Sequence, residues 1–290
     1  MKASTARLIA SFGGYSASRM AHTFKMKNRD PAVRRPPQRR CIYCDATTYR
    51  LKSDRKLGDE HVIAEGLGGN LVLQEASCEA CETAIMGFEP AVLRTILYAP
   101  RVHLGIRRKR RKRGEEAIKV RGSSGGDEVE IDLPIKNVPV LLFLLRLGLP
   151  GILIGRPPEL ADVKGAWVIH LNPDKPIVPP GFKSFASPVM DTYKFAQFLA
   201  KIAHGFAIEA FGHAFNPLLL DFIRAKATDT RHHLIGSASP DEDTPSDHLH
   251  ELSADWRKHE GTNFAIVKIR LFANLGAPTY LVVAGTSKAS

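Results

Sequence analysis

The pattern of apolar and polar residues along this chain predicts a mixture of helices and strands. The longest helical pattern begins after Asp191, a residue type that suits the N-cap of a helix. Its apolar residues recur at helical spacing on or near one face: Phe195, Phe198, Leu199, Ile202, Phe206 and Ile208. A second helix is predicted over residues 82–99, with a bend at Pro90, and a third helix after Pro217.

Shorter runs, either alternating or continuously apolar, predict strands. Four segments show this pattern: hairpins over 116–134 and 263–285, and single strands over 166–171 and 231–238. The most apolar stretch of all, residues 138–155, is interrupted by Arg146 and Pro150. Neither uninterrupted piece approaches the roughly 20 residues that a membrane span requires, so we expect no membrane span and interpret the stretch as buried core.

These elements predict an α+β protein in which a small module precedes a larger α+β domain. Residues 1–40 are expected to be a basic, disordered lead-in, because the proline- and arginine-rich segment 31–40 is unsuited to packing. Residues 41–113 are the predicted module. Residues 114–290 are the predicted larger domain, whose role the sequence does not reveal.

Positive charge is concentrated in two places along the 290 residues. The formal net charge is +11, and the excess lies in "RRKRRKR" (107–113) and in the first forty residues, where Asp30 is the only acidic residue. Such runs attract polyanions, so nucleic acid is a predicted partner of a protein expected to be cytoplasmic, and a solvated charged linker is the alternative. The first twenty residues resemble a transit peptide in composition, but "GG" interrupts their apolar stretch, and a dispensable basic tail, or a true start at Met20 or Met26, explains them better.

All four cysteines lie in two CxxC pairs, "CIYC" (41–44) and "CEAC" (78–81). Each pair places two thiolates on the same side of a tight turn. The predicted ligands of a tetrahedral structural zinc ion are therefore Cys41, Cys44, Cys78 and Cys81. A disulfide framework would instead spread its cysteines along the chain. The 33 residues between the pairs exceed the spacing of a simple zinc ribbon, which indicates an inserted element.

The inserted element carries "DEHVIAEGLGG" (59–69), and "ASCEAC" then leads into "ETAIMGFE" (82–89). Together with the two CxxC pairs, these motifs resemble the HNH, or ββα-metal, endonucleases, in the branch whose catalytic loop is braced by a structural zinc ion. The resemblance covers residues 41–89. It implies a zinc-braced ββα-metal module that hydrolyses phosphodiester bonds of nucleic acid, with double-stranded DNA as the expected substrate.

The resemblance also implies roles for individual residues. His61 would act as the general base that deprotonates the attacking water, and Glu60 would hold a catalytic Mg²⁺ or Mn²⁺ ion near the scissile phosphate. Asn70 would orient the loop that carries the base. The family's last metal position, directly after the final cysteine, is usually Asn or His, whereas here it is Glu82, a carboxylate that can still bind Mg²⁺.

Several of these residues also have simpler interpretations. Gly68 and Gly69 fit a turn with positive φ, Glu82 fits the negative charge favoured at a helix N-terminus, and Glu89 fits a helix surface. The histidines outside the module match no metal-site template or are expected to be packed or exposed: His204, His213, His232, His233, His248 and His250.

Two other classes of function remain open at this level. The first is a zinc-dependent nucleic-acid-binding protein without catalysis, which Glu82 makes conceivable. The second is a zinc-stabilised protein-interaction module in which the basic run 107–113 is only a linker. The sequence also leaves open whether copies of the chain form a homo-oligomer.

Overall fold

The computed structural model describes residues 22–51, 55–106, 117–124, 126–157, 162–178, 183–186, 190–225 and 231–288. These residues form a strand-rich α+β fold. The strands are β1 (His22–Met26), β2 (Val33–Arg35), β3 (Gly58–His61), β4 (Leu71–Ser77), β5 (Ala117–Ser124), β6 (Asp127–Pro134), β7 (Leu141–Leu147), β8 (Val163–His170), β9 (Ser184–Ala186), β10 (Phe215–Pro217), β11 (Ile235–Ser237), β12 (His250–His259), β13 (Thr262–Leu271) and β14 (Thr279–Ser287). The α-helices are α1 (Glu79–Met86), α2 (Glu89–Arg94), α3 (Tyr98–His103), α4 (Thr192–Phe211) and α5 (Leu220–Ile223).

Helix α4 is the centre of the fold. The Asp191 carboxylate accepts a hydrogen bond from the main-chain N–H of Lys194 at 3.0 Å, so the predicted N-cap is confirmed. Every residue from Phe195 to Ile208 is buried, which makes the helix an interior element rather than a surface helix with one apolar face. It packs against β12, β13 and β14 on one side and against α2 on another.

The largest sheet is antiparallel and lies beside α4. Its strand order is β1-β12-β13-β14-β10, and β11 also pairs with β14. The predicted terminal hairpin is confirmed as β13 and β14, and the predicted hairpin over 116–134 is confirmed as β5 and β6. The apolar stretch 138–155 contains β7, whose Leu142 and Leu144 are fully buried, as expected for core.

A smaller sheet carries the inserted element between the cysteine pairs. Its order is β2-β4-β3, with β3 antiparallel and β2 parallel to β4. Helix α1 follows β4 directly, which gives the order strand, strand, helix. That order is the one a ββα module requires, while the HNH assignment itself stays a prediction.

Order begins well before Cys41, which corrects the expectation of a disordered lead-in over all of 1–40. Strand β1 pairs with β12, and β2 pairs with β4. Main-chain hydrogen bonds to distant strands do not depend on the composition of the lead-in, and the fully buried Met26 adds an apolar anchor. Residues 1–21 and the basic run 107–113 lie outside the described residues.

Two predicted helices differ from the structure. The helix expected over 82–99 is divided into α1, α2 and α3. The break between α1 and α2 follows from Pro90, which lacks an N–H and occupies the first turn of α2 instead of continuing α1. The helix expected after Pro217 is limited, in the described residues, to the four residues of α5. The strand expected over 231–238 is a 3₁₀ turn followed by the short β11.

One hydrophobic core joins the predicted module to the larger part of the chain. Ile42, Ile63 and Leu73 of the module belong to the same buried cluster as Phe198 and Ile202 of α4. The domain boundary after residue 113 therefore stays a prediction. The module and the larger part of the chain share one hydrophobic core. Among the described residues, no helix combines the length and the apolar character needed to cross a membrane.

Candidate metal centre and histidine site

The four cysteines come together in one cluster. The Sγ atoms of Cys41, Cys44, Cys78 and Cys81 all lie within 4.8 Å of one another, and Cys44 and Cys78 are 3.5 Å apart. Tetrahedral zinc with Zn–S bonds near 2.3 Å separates its sulfurs by about 3.8 Å, so the cluster has the dimensions of a four-thiolate metal site. The predicted ligand set is brought together, and the residues fit a structural zinc ion.

Local structure explains why the thiols converge. The first pair lies in a tight turn closed by the hydrogen bond from the Asp45 N–H to the Cys41 carbonyl at 2.9 Å. Cys78 is the N-cap residue of α1, and Cys81 lies in its first turn. A hydrogen bond from the Cys81 thiol lowers the pKa of Cys41 to about 5, against the opposing effect of burial, so one thiolate forms readily in the cluster.

Strand β3 carries the two residues at the heart of the resemblance, and it buries them unequally. The Glu60 side chain is only 8% exposed, whereas His61 is half-buried. Neighbouring residues of a strand project to opposite faces, which accounts for the difference. Strand β3 is fixed by pairing with β4, where His61 lies opposite Val72.

The His61 imidazole has the properties of a neutral base. Burial lowers the pKa of His61 below its ordinary value, and the positive charge of Lys201 lowers it further. The Nδ1 atom lies 3.4 Å from the Gly69 carbonyl oxygen, a long contact that favours the tautomer with the proton on Nδ1. In that tautomer the Nε2 atom keeps the lone pair that a general base needs.

The loop between β3 and β4 depends on two adjacent glycines. Gly68 has φ +81°, the left-handed region that favours glycine. Gly69 is required for a different reason: a Cβ atom there would lie 1.9 Å from the Ile63 carbonyl oxygen. The predicted positive φ is therefore confirmed for Gly68 only. Gly69 instead lets two backbone segments approach closely, and its carbonyl oxygen faces His61.

Asn70 anchors the end of this loop rather than the imidazole. Its side chain is buried and donates from Nδ2 to the Pro31 carbonyl oxygen at 3.0 Å. Its own carbonyl oxygen accepts from the Val33 N–H at 2.7 Å. The loop is thus attached to the segment that leads into β2, and the orienting role of Asn70 stays a prediction.

Glu82 lies in the first turn of α1 and is held by a neighbouring tyrosine. The Tyr49 hydroxyl donates to its Oε2 atom at 2.7 Å, and its Oε1 atom packs so close to Gly58 that a Cβ there would lie 2.0 Å away. The Arg55 guanidinium stacks over the Tyr49 ring at 3.9 Å. These contacts fit the simpler interpretation of a carboxylate at a helix N-terminus at least as well as metal ligation.

A buried lysine that sequence reasoning missed lies against Glu60. The Lys201 side chain, on α4, is 1% exposed, and its Nζ atom lies 2.7 Å from Glu60 Oε1 and 3.0 Å from Glu89 Oε2. It also donates to the main-chain carbonyl oxygen of His61. Glu89 is therefore not the surface carboxylate that its helical position predicted. The available signal was a charged residue inside the otherwise apolar "FAQFLAKIAHGF".

The electrostatics of this cluster are those of a buried ion group. Burial alone would lower the pKa of Lys201, but the Glu60 and Glu89 carboxylates outweigh it and raise the pKa above its ordinary value. Burial raises the pKa of Glu60, and Lys201 opposes that rise. Since an ammonium ion already contacts Glu60, the residues present do not fit a divalent ion shared between Glu60 and Glu82 in this structure.

The histidines of the larger part do not form a second metal site among the described residues, where the four cysteines are the only metal-type cluster. His204 is buried, and its Nε2 atom lies 2.7 Å from the Ile42 carbonyl oxygen. His250 is buried, and its Nε2 atom lies 2.8 Å from the Leu67 carbonyl oxygen. His213 contacts the Arg40 guanidinium at 3.1 Å. The expectation that His204 is packed is confirmed.

Neither a protein-family model, nor a curated protein, nor a solved structure matches this chain. The function must therefore be argued from the cysteine cluster and from the surroundings of His61.

Proposed function

We propose that this protein is a phosphodiesterase that hydrolyses nucleic acid, with double-stranded DNA as the substrate and His61 as the general base. The observation that carries the proposal is the state of His61: a half-buried imidazole with a lowered pKa, held through Nδ1 beside the Gly69 carbonyl. A base of this kind is neutral near pH 7 and can accept the proton of an attacking water.

The cysteine cluster supplies the scaffold in this proposal. A zinc ion on the four thiolates closes both ends of residues 45–77, the segment that contains β3, the glycine loop and β4. Four thiolates in a tetrahedral arrangement are a typical ligand set of structural zinc. The proposal places the protein in the cytoplasm, where thiols stay reduced and available to the metal.

Substrate binding is assigned to the basic run 107–113. The run lies outside the described residues, but the chain that leads into it is described. Ile106 packs on the glycine loop, where its Cγ2 atom would lie 3.4 Å from a Cβ atom at Gly68. Arg101 donates to the Gly66 carbonyl oxygen at 3.1 Å. Ile106, the last described residue before the run, therefore lies beside the loop that follows His61, and we propose that contacts of the run to phosphates bring the DNA backbone to the imidazole.

The catalytic Mg²⁺ or Mn²⁺ ion that the family resemblance implies has no free site at Glu60. The Glu60 carboxylate is turned into the core and paired with Lys201. A divalent ion would stabilise charge on the phosphate if it were bound near His61, and the half-buried Glu65 is a carboxylate whose charge acts on His61. The proposed role of His61 stands without assigning the ion to Glu60.

The test is cleavage of supercoiled plasmid by full-length, zinc-loaded protein in the presence of Mg²⁺ or Mn²⁺. We expect wild-type protein to nick the plasmid and His61→Ala to lose at least about 100-fold in rate, the usual contribution of a general base. His103→Ala, which removes an exposed histidine at the end of α3, is the matched control and should cleave like wild type. Zinc content and DNA affinity should be the same in all three proteins. Equal nicking by wild type and His61→Ala would refute the assignment.

One observation favours a second candidate, a nucleic-acid-binding protein without catalysis. Lys201 takes up the Glu60 carboxylate that a metal-dependent nuclease would need. This candidate predicts DNA binding with strong salt dependence and no nicking by wild-type protein under any divalent ion. The same plasmid assay, paired with a binding titration, distinguishes the two candidates.

A further inference from the structure

Three oxygen atoms from two elements of the module converge on one point in the core. They are Glu60 Oε1 and the His61 carbonyl oxygen, both on β3, and Glu89 Oε2, on α2. Two carboxylates and one carbonyl are the donor set that hard cations prefer in proteins. The point where they converge is occupied by the Nζ atom of Lys201.

The lysine ammonium matches these three oxygen atoms in its number of N–H groups and in its charge. An ammonium group has three N–H donors and no acceptor, and here it donates to the His61 carbonyl oxygen and forms ion pairs with Glu60 and Glu89. Its positive charge offsets one of the two carboxylate charges, which would be costly to bury together without a cation.

The Lys201 ammonium is confined to this position by the packing around it. It lies in the middle of α4, whose residues from Phe195 to Ile208 are all buried, and its own side chain is 1% exposed. Moving the ammonium elsewhere would place an unpaired charge among apolar side chains such as Phe198 and Ile202. A metal ion could not enter beside it either, because two cations a few ångströms apart in a buried site repel strongly.

We infer that the Lys201 ammonium is the resident cation of the Glu60–Glu89 site, and that it excludes divalent metal ions from it. The inference deepens the proposed function, since it concerns the carboxylates beside His61, and it rests on that function only where it refers to cleavage. Any divalent ion used in cleavage must then be held by other residues.

The experiment is a Mn²⁺ titration of full-length, zinc-loaded protein without nucleic acid, in which free Mn²⁺ is followed by its electron paramagnetic resonance signal. Zinc loading keeps the cysteine cluster occupied. Wild type is compared with Glu60→Gln, which removes one carboxylate charge from the site but keeps the shape of the side chain. We expect the two proteins to bind Mn²⁺ identically, because surface acids are common to both and the Glu60 site is closed in both.

Lys201→Met supplies the complementary test, since methionine replaces the long side chain without a charge. We expect it to bind about one additional Mn²⁺ per chain, and the double variant Lys201→Met/Glu60→Gln to lose that site. Lys201→Arg keeps the cation and should bind no additional ion.

Two results would overturn the inference: Mn²⁺ binding by wild type that Glu60→Gln removes, or a folded, zinc-containing Lys201→Met protein that binds no additional ion. If Lys201→Met does not fold, the comparison of wild type with Glu60→Gln still decides. The readout is independent of cleavage. Absence of nicking would therefore count against the proposed function alone, and Glu60-dependent Mn²⁺ binding by wild type would count against this inference alone.

Discussion

His250 makes the stability of this protein sensitive to mild acid. The imidazole is fully buried between the module and the C-terminal sheet. Its Nδ1 atom accepts from the Phe272 N–H at 3.1 Å, and its Nε2 atom therefore carries the proton that is donated to the Leu67 carbonyl oxygen at 2.8 Å. A second proton would have to sit on Nδ1, directly against the Phe272 N–H, so protonation breaks one of the two bonds.

The size of the effect follows from the difference between the two states of the chain. Burial lowers the pKa of His250 from 6.5 to about 4. Between pH 6.5 and pH 4 the unfolded chain binds more protons at this histidine than the folded chain does. The contribution of the neutral His250 to the free energy of unfolding is therefore complete above pH 6.5 and is lost as the pH falls towards 4. The full loss, well below pH 4, is on the order of 3 kcal/mol. Between pH 7.5 and pH 5.0 the expected loss is about 2 kcal/mol.

The assay is urea denaturation of wild type and His250→Gln at pH 7.5 and pH 5.0. Other groups titrate in this range too, including the buried His204, whose pKa burial lowers to about 4, but they contribute to both proteins. The quantity that matters is therefore the difference in pH dependence between the two proteins. We expect His250→Gln to be less stable at pH 7.5 but to lose about 2 kcal/mol less than wild type on going to pH 5.0.

The control is His103→Gln, which removes an exposed histidine and should retain the pH dependence of wild type. If His250→Gln and wild type lose the same free energy of unfolding over this interval, then His250 is not held neutral in the folded state. The reasoning from its burial and its two hydrogen bonds would then be wrong.

Two further predictions concern the module. Removal of zinc by a chelator should accelerate hydrogen exchange in β3, β4 and α1 by roughly tenfold or more and leave β13 and β14 protected. The reason is that the metal binds only residues of the module. Uniform acceleration across the chain would contradict this. Gly69→Ala should lower the free energy of unfolding by about 2 kcal/mol or more, measured by urea denaturation, because its Cβ would meet the Ile63 carbonyl oxygen at 1.9 Å. Gly87→Ala, at an exposed helix end where the new Cβ would lie 3.1 Å from the Ala84 carbonyl oxygen, should cost clearly less than Gly69→Ala, and equal effects of the two substitutions would refute the packing argument.

Features that local signals determine could be predicted from the sequence. Helix α4 was predictable because its apolar spacing and its Asp191 cap lie within a single segment. The hairpins β5–β6 and β13–β14 were predictable because both strands and the turn are contiguous. The cysteine cluster was predictable because two CxxC turns each bring two thiols together, and four thiols suit one metal ion.

Features that depend on distant partners could not be predicted in the same way. Strand β1 pairs with β12, more than two hundred residues away, and no pattern in "HTFKM" names that partner. Lys201 is 140 residues from His61, whose carbonyl it binds. A lysine in an apolar helix signals that a buried partner exists but not which carboxylate it is. For Glu60 the sequence therefore offers only the family resemblance, and no pattern around Glu60 indicates its ion pair with Lys201.

Three buried side chains of the larger part of the chain contact main-chain carbonyl oxygens of the module. Lys201 donates to the carbonyl oxygen of His61, and His204 and His250 contact those of Ile42 and Leu67. Each carbonyl belongs to a different part of the module: Ile42 to the first cysteine turn, His61 to the end of β3 and Leu67 to the glycine loop. A buried carbonyl without a donor is costly, so the cysteine turn and the glycine loop need these side chains to keep their shape. Zinc can fix the two ends of the inserted segment, but its middle, which presents His61, is held by donors from α4 and β12.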